Sequence, residues 1–230
     1  MLSRIAISLL LWPSSCWSLR ISIDNLSKQF PTNVWRTLTS SVPVREYALK
    51  SISLVAESEL ILLVGASSSG KSTVLQCILQ GSTSIALSDP SVQPIYLDRK
   101  PDSPTFQKPI RDTITGTNDI DRWNSILELD LSLTFSELSP SQVFKYALLQ
   151  ACCGQCSNNS APLLLLDEWM DKETSAVVRK VEESLVQMAE QGAIIFCVTH
   201  KPELFAKSHR KITLCRGEIL SSDEPRRHLT

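Results

Sequence analysis

The sequence predicts an α/β fold with a mostly parallel β-sheet that is flanked by helices. Three continuous apolar runs, Leu60–Val64, Pro162–Leu166 and Ala193–Val198, have the composition of strands that are buried on both faces. Helical patterns follow the first two runs, at Lys71–Gln80 and Lys172–Gln191. Because buried strands that alternate with helices form parallel sheets, this order predicts the fold class.

The other elements are shorter. The helix over Lys172–Gln191 places its apolar residues on one predicted stripe, formed by Val177, Val181, Leu185 and Met188. A proline at position 94 places the short strand Val92–Leu97 near a sheet edge. The remaining predictions are two strands of period two, a helix, and two strands that flank the turn Arg216-Gly217: Leu19–Asp24, Tyr47–Val55, Ile120–Leu129, Lys211–Leu214 and Glu218–Leu220.

The composition excludes several classes of protein. The 230 residues are 43% hydrophobic and 20% charged, which is typical of a globular chain and excludes a disordered or fibrous one. A net charge of −1 gives no electrostatic reason to expect nucleic acid as a partner. The seven cysteines do not form a disulfide framework. Cys153 and Cys156 are either two thiols near a helix end or a redox pair.

The first 18 residues have the pattern of a cleavable signal segment. Arg4 precedes the apolar run Ile5–Trp12, and small residues follow Pro13 up to Ser18. The run is far shorter than the roughly 20 residues that span a bilayer. The alternatives are a buried N-terminal strand or a short amphipathic anchor. We therefore expect residues 1–18 to be a targeting segment and residues 19–230 to form the folded, functional domain.

A phosphate-binding loop follows the first buried strand. Gly65-Ala66-Ser67-Ser68-Ser69-Gly70-Lys71-Ser72 matches the G-x-x-x-x-G-K-[ST] (Walker A) pattern, with a strand before it and a helix after it. Backbone N–H groups of such a loop surround a polyphosphate, the lysine reaches the β- and γ-phosphates, and the serine hydroxyl binds Mg²⁺. The candidate nucleotide-binding residues here are Gly65, Ala66, Ser67, Ser68, Ser69, Gly70, Lys71, Ser72 and Thr73.

Three further candidate residues follow the second and third buried strands. Asp167 and Glu168 end the run Leu163–Leu166, where Asp167 suits Mg²⁺ and Glu168 could polarise an attacking water molecule. His200 follows the strand Ala193–Val198. Because the carboxyl ends of parallel strands share one edge, we expect His200 to face the same crevice.

These pieces, in this order, resemble the ATP-binding cassette (ABC) ATPase family over about Leu19 to Pro225. The phosphate loop, the acidic pair and the switch histidine in Val198-Thr199-His200 are the central matches. Further segments match the early strand with its aromatic residue, the following strand, the signature motif and the closing hairpin: Ile21–Phe30, Ala48–Leu54, Leu138–Gln142 and Cys215–Ile219.

The resemblance implies a fold, a ligand and a partner. The fold would be that of a P-loop NTPase, with a small antiparallel β part and a shortened helical subdomain beside the parallel sheet. ATP and Mg²⁺ would lie between two cassettes, with Phe30 stacked on adenine, Glu168 aligning water and His200 contacting the γ-phosphate. Ser139, Ser141 and Gln142 would face the partner's ATP. A separate chain would supply any membrane-spanning part.

The sequence also departs from the family pattern. Pro140 and Ser141 replace both signature glycines, and Ser68 stands where a loop glycine is usual. The segment Ser139–Gln142 is therefore either an anion site for the opposite ATP or only a helix cap. The family's loop glutamine corresponds either to Asp98 or to Gln107. The segment Trp169–Thr174 departs from the family's inter-cassette loop, and Lys71–Ser139 is shorter than typical.

Three functional hypotheses follow. The first is a Mg²⁺-dependent ATP hydrolase that acts as a dimer or with a partner chain. The second is an ATP-regulated adaptor with little hydrolysis, which the altered signature favours. The third is a P-loop kinase, for which Arg99 and Arg111 would have to form a lid. The signal-like segment predicts the secretory route or an organelle such as a plastid; the alternatives are a membrane-associated or a cytoplasmic protein.

Overall fold

The computed structural model describes residues 18–29, 47–98, 108–114, 120–155 and 161–223. Several predictions fall outside these ranges and stay predictions. They concern the targeting segment before residue 18, the adenine-stacking role of Phe30, the lid role of Arg99, the loop role of Gln107, and the pairing of Cys156.

The secondary structure alternates strands with helices. The strands are β1 (Arg20–Gln29), β2 (Tyr47–Glu57), β3 (Leu60–Val64), β4 (Ile85–Leu87), β5 (Ile95–Asp98), β6 (Leu163–Asp167), β7 (Ile194–Val198), β8 (Arg210–Cys215) and β9 (Glu218–Ser222). The helices are α1 (Lys71–Leu79), α2 (Ile120–Leu127), α3 (Pro140–Gln155) and α4 (Ser175–Glu190), and short 3-10 turns lie at Ile110–Thr113, Phe135–Glu137 and Pro202–Leu204.

The strands form two sheets. The larger has the order β5-β6-β7-β3-β8-β9 and is parallel except for β9, which pairs antiparallel with β8. The smaller is antiparallel, with the order β2-β1-β4. Helices α2 and α3 form a small helical part between β5 and β6. The predicted mixed α/β fold with a mostly parallel sheet is confirmed.

The central strands of the larger sheet, β6, β7 and β3, are buried on both faces. Their alternate residues belong to different apolar clusters, as Leu62 and Leu63 of β3 do. One cluster packs the sheet against α2, α3 and α4, and the other packs it against α1 and the smaller sheet. Because neither face meets water, the central strands are continuous apolar runs without polar alternation.

The apolar stripe of α4 differs from the prediction by one residue. Val178 is fully buried, together with Val181, Leu185 and Met188, whereas Val177 is only partly buried. At 3.6 residues per turn Val178 lies about 20° from Leu185 around the helix axis, and Val177 lies about 80° away. The helix also begins at Ser175, after Thr174 in an extended conformation, and not at Lys172.

Several boundaries differ by a few residues. Strand β5 covers Ile95–Asp98 and not Val92–Leu97, because it begins after Pro94, which has no N–H to donate to a ladder. It lies at the edge of the larger sheet, as predicted. Helix α2 ends at Leu127, two residues earlier than predicted, and the short strand β4 was not predicted. Within the described ranges, no helix has both the length and the apolar character needed to cross a membrane.

Candidate functional site

The loop Gly65–Gly70 closes around the lysine that follows it. Lys71 is 5% exposed, and its Nζ donates hydrogen bonds to the backbone oxygens of Gly65 at 2.9 Å and Ala66 at 3.0 Å. The backbone N–H of Ser69 also donates to Ala66, at 3.1 Å. The loop therefore forms a compact turn with the ammonium group held at its inner side.

Two positions of this loop carry unusual backbone constraints. Gly65 has φ +143°, and a Cβ there would lie 2.2 Å from the backbone oxygen of Leu214, so only glycine fits. Ser68 has φ +63°, the left-handed conformation that glycine adopts without cost. The usual glycine of this loop position is thus replaced by a residue that takes the same conformation, at a cost of about 1–2 kcal/mol.

The closing hairpin supports the loop from behind. The backbone N–H of Gly217 donates to the oxygen of Ser69 at 2.8 Å, and the oxygen of Gly217 accepts from the N–H of Lys50 at 2.7 Å. The turn between β8 and β9 therefore links the phosphate loop to β2. This hairpin matches a family segment in sequence, but its contact with the loop was not predicted.

The N-terminus of α1 has the character of an anion site. No side chain caps it, and its first turn carries no acidic residue. The first N–H groups of a helix have no partner within the helix, and its dipole favours negative charge there. The hydroxyl of Ser69 beside it is buried and has no hydrogen-bond partner among the described residues. The residues present thus fit a bound polyphosphate.

Asp167, at the end of β6, contacts the first turn of the helix that follows the loop. The hydroxyl of Ser72 donates to Asp167 Oδ1 at 3.0 Å. A hydroxyl and a carboxylate are hard oxygen ligands of the kind that Mg²⁺ prefers. The two predicted metal-binding residues are therefore adjacent. The structure adds Tyr96, whose hydroxyl donates to Asp167 Oδ2 at 2.9 Å.

Glu168 and His200 lie side by side at the ends of adjacent strands. His200 Nε2 is 2.8 Å from Glu168 Oε1, and the N–H of Glu168 donates to the oxygen of Val198 at 3.1 Å. The side chains of His200 and Glu168 are 38% and 52% exposed, so this contact contributes little to stability. Glu168 also has φ +52°, a strained conformation for a residue other than glycine.

The carboxylate of Asp171 also lies beside Glu168 and His200. Its Oδ1 accepts the hydroxyl of Thr199 at 2.6 Å, and its Oδ2 accepts the backbone N–H of His200 at 2.9 Å. Glu168, Asp171 and His200 each bring a ligand atom within 4.8 Å of the others, as a metal site would require. Asp171 lies in the segment Trp169–Thr174 that departs from the family pattern, and no role was predicted for it.

The charges of the site converge on Lys71. Burial lowers the pKa of Lys71, and the carboxylates of Glu168, Asp167 and Asp171 act in the opposite sense by favouring the charged ammonium. One cation therefore faces three anions at this edge of the sheet. Such a set of groups can hold a phosphate chain through the loop and a divalent cation through the carboxylates.

The signature-like residues lie at the start of α3. The N–H of Ser139 donates to Gln142 Oε1 at 2.9 Å, and the hydroxyls of Ser139 and Ser141 are 3.3 Å apart. The side chain of Gln142 thus forms a helix cap. No hydrogen bond within the described ranges joins these three residues to the phosphate loop of the same chain.

Two other candidates lie on elements other than the loop and its helix. Asp98 ends β5 and is the register partner of Asp167, so it stands at the same sheet edge. Arg111 is exposed in the turn Ile110–Thr113, and its backbone N–H donates to Leu131 at 3.2 Å. Among the described residues, Cys77, Cys197 and Cys215 form no disulfide.

The fold and the loop define an α/β protein of the P-loop class, and comparison with solved structures makes this more specific. The ADP conformation of MJ1267, an ATP-binding cassette of an ABC transporter, superposes with a TM-score of 0.64 at 12% identity, over 90% of this chain and 91% of that chain. A dimeric structure of MJ0796, a bacterial ABC transporter cassette, has a TM-score of 0.60 at 20% identity, over 89% and 98%.

A second MJ0796 structure, a dimeric post-hydrolysis state bound to ADP and Pi, has a TM-score of 0.60 at 18% identity, over 89% of this chain and 98% of that chain. No protein-family model matches the sequence. The chain therefore has the fold of the ATP-binding cassettes, and the resemblance drawn from its motifs is confirmed at the level of the fold.

Proposed function

We propose that this chain binds ATP with Mg²⁺ and hydrolyses it as one member of a cassette pair. The observation that carries the proposal is the meeting of the loop with Asp167, while Glu168 and His200 touch at the same edge of the sheet. The cassette structures with ADP and Pi support nucleotide binding in this fold.

Each residue has a role that follows from its position. The loop N–H groups and Lys71 would hold the phosphates, and Ser72 with Asp167 would hold Mg²⁺. When bound, Mg²⁺ would neutralise the charge that develops on the phosphates. Glu168 is an ionisable acceptor at the strand end and would orient the attacking water. His200, in contact with Glu168, would hold that carboxylate in place and donate toward the phosphate.

A pair of cassettes is part of the proposal. The MJ0796 cassettes are dimeric. In a pair of this kind the exposed Ser139 and the half-buried Gln142 would face the ATP of the other copy, together with Ser141, which is buried in the single chain. We expect Glu168→Gln to form dimers with ATP and Mg²⁺ in analytical ultracentrifugation, and to stay monomeric with neither. A separate membrane-spanning subunit belongs to the same proposal as a partner of that pair.

The test is ATP turnover by the full chain with Mg²⁺, beside Lys71→Ala and Glu168→Gln. Both variants should lose turnover, and only Glu168→Gln should still bind nucleotide, because it keeps the loop and its lysine intact. Lys180→Ala and Glu190→Gln, which change the same residue types on the exposed face of α4, should keep turnover. Turnover retained by Lys71→Ala would overturn the proposal.

The second candidate is an ATP-regulated adaptor with little hydrolysis. It is favoured by the helix cap at α3, where Gln142 already occupies the N–H of Ser139 and Pro140 has none to offer. The same experiment separates the two functions. Tight nucleotide binding by the wild type without turnover, in monomer and in dimer, would favour the adaptor over the hydrolase.

A further inference from the structure

Asp167 accepts one hydrogen bond on each carboxylate oxygen, from two different elements. Ser72 in α1 donates to Oδ1 at 3.0 Å, and Tyr96 in β5 donates to Oδ2 at 2.9 Å. The proposed function uses Ser72 and Asp167 as magnesium ligands and gives no role to Tyr96. The tyrosine is nevertheless the group that holds the second oxygen of this carboxylate.

The register of the sheet brings Tyr96 to this position. Strands β5 and β6 are parallel neighbours, in which Tyr96 pairs with Leu165 and Asp98 pairs with Asp167. The ring of Tyr96 packs against the apolar cluster that covers the α1 side of the sheet. Its hydroxyl reaches past this cluster to the polar end of β6. The apolar contact thus fixes the ring, and the fixed ring aims the hydroxyl at Asp167.

We propose that Tyr96 is a positioning residue that orients the Asp167 carboxylate for Mg²⁺, an inference that rests on the proposed function. A carboxylate that binds a cation must be held in one rotamer, and outer hydrogen-bond donors commonly do this for metal ligands. Ser72 is the donor that would turn toward the cation. Tyr96 keeps its bond to Oδ2 throughout, so that Asp167 presents the same oxygen to the cation.

The chemistry of Tyr96 suits a permanent donor. A tyrosine hydroxyl is protonated at neutral pH, so it can donate its hydrogen bond to a carboxylate. Phenylalanine at this position would keep the ring packing and remove only the donor, which makes Tyr96→Phe an informative variant.

The experiment measures binding of a fluorescent ATP analogue to the full chain, in EDTA and over a range of Mg²⁺ concentrations. Tyr96→Phe should need about tenfold more Mg²⁺ for half-maximal binding, because loss of a hydrogen bond that orients a metal ligand commonly weakens metal binding by this factor. In EDTA it should bind the analogue as the wild type does. Tyr146→Phe is the matched control, because it also loses a bond to a hydroxyl, that of Thr113 at 2.7 Å. It should leave the Mg²⁺ requirement unchanged.

A double variant tests whether Tyr96 acts through Asp167. In the Asp167→Asn background, Tyr96→Phe should cause no further increase in the Mg²⁺ requirement. The inference would be overturned if the two substitutions raised the Mg²⁺ requirement independently, so that their fold-changes multiplied in the double variant. It would also be overturned if the wild type and Tyr96→Phe both bound the analogue with the same Mg²⁺ requirement. If the wild type binds no analogue under any condition, the proposed function itself is overturned.

Discussion

Asp171 holds the turn that carries His200. One oxygen of this carboxylate accepts the backbone N–H of His200 at 2.9 Å, and the other accepts the hydroxyl of Thr199 at 2.6 Å. Both bonds fix the chain directly after β7, where it leaves the sheet. The 2.8 Å contact between His200 and Glu168 thus depends on a carboxylate three residues beyond Glu168 in the chain.

Asp171→Ala should lower ATP turnover by about ten- to hundredfold, because a small displacement of a catalytic group has a large effect on rate. Nucleotide affinity should change little, since the phosphate loop keeps its own hydrogen bonds. Turnover and binding of a fluorescent ATP analogue are the two measurements. Asp130→Ala is the matched control, because Asp130 accepts a backbone N–H and a hydroxyl from Ser132 in the same way. Equal turnover in both variants would contradict the role of Asp171.

Gly65→Ala should destabilise the protein by about 3 kcal/mol and abolish nucleotide binding, since the new Cβ would meet the backbone oxygen of Leu214. Gly81→Ala offers a control with φ also positive, at +62°, but with nothing within 4 Å of the added Cβ. It should cost about 1 kcal/mol and leave binding intact. Urea unfolding checks both values, and equal costs would mean that the loop relaxes away from β8.

The buried carboxyl group of Glu59 should make the stability of the protein depend on pH. It forms a buried ion pair with Arg210 at 3.0 Å, and burial raises the pKa of Glu59 above the ordinary 4.5 despite the attraction of Arg210. The folded state therefore binds this proton more tightly than the unfolded state does. Its contribution to stability is fully present below pH 4.5 and is lost as the pH rises through the folded pKa.

The variant that isolates this effect is Glu59→Gln, which cannot titrate. As the pH is lowered from 7 toward 4.5, the wild type should gain free energy of unfolding relative to this variant. Urea unfolding at several pH values measures the difference. Glu190→Gln, a change at an exposed position of α4, should show no such trend. The prediction would be contradicted if the wild type lost free energy of unfolding relative to Glu59→Gln on acidification.

Local patterns were enough to predict the class of fold and the turn that follows β3. The three apolar runs became β3, β6 and β7, because burial on both faces leaves no polar alternation in such strands. The spacing of Gly65, Gly70 and Lys71 predicted the turn between β3 and α1. These features lie within about ten consecutive residues, so the sequence itself contains the information that determines them.

The sequence predictions were wrong in detail where the tertiary packing selects between neighbouring residues. Val177 and Val178 are both apolar, and only the packing of α4 on the sheet determined that Val178 is the buried one. The strand ladder likewise determined where β5 begins, because Pro94 has no N–H to donate to a ladder.

Local motifs predicted the chemical groups of the candidate site: the loop, its lysine, the acidic pair and the histidine. The further residues that join them could be found only from the folded arrangement of the strands. Tyr96 and Asp171 reach the site because β5, β6 and β7 are neighbours in the sheet while being far apart in the chain. Contacts of this kind arise from strand order and register. Because these depend on the packing of the whole sheet, no local sequence pattern predicts them.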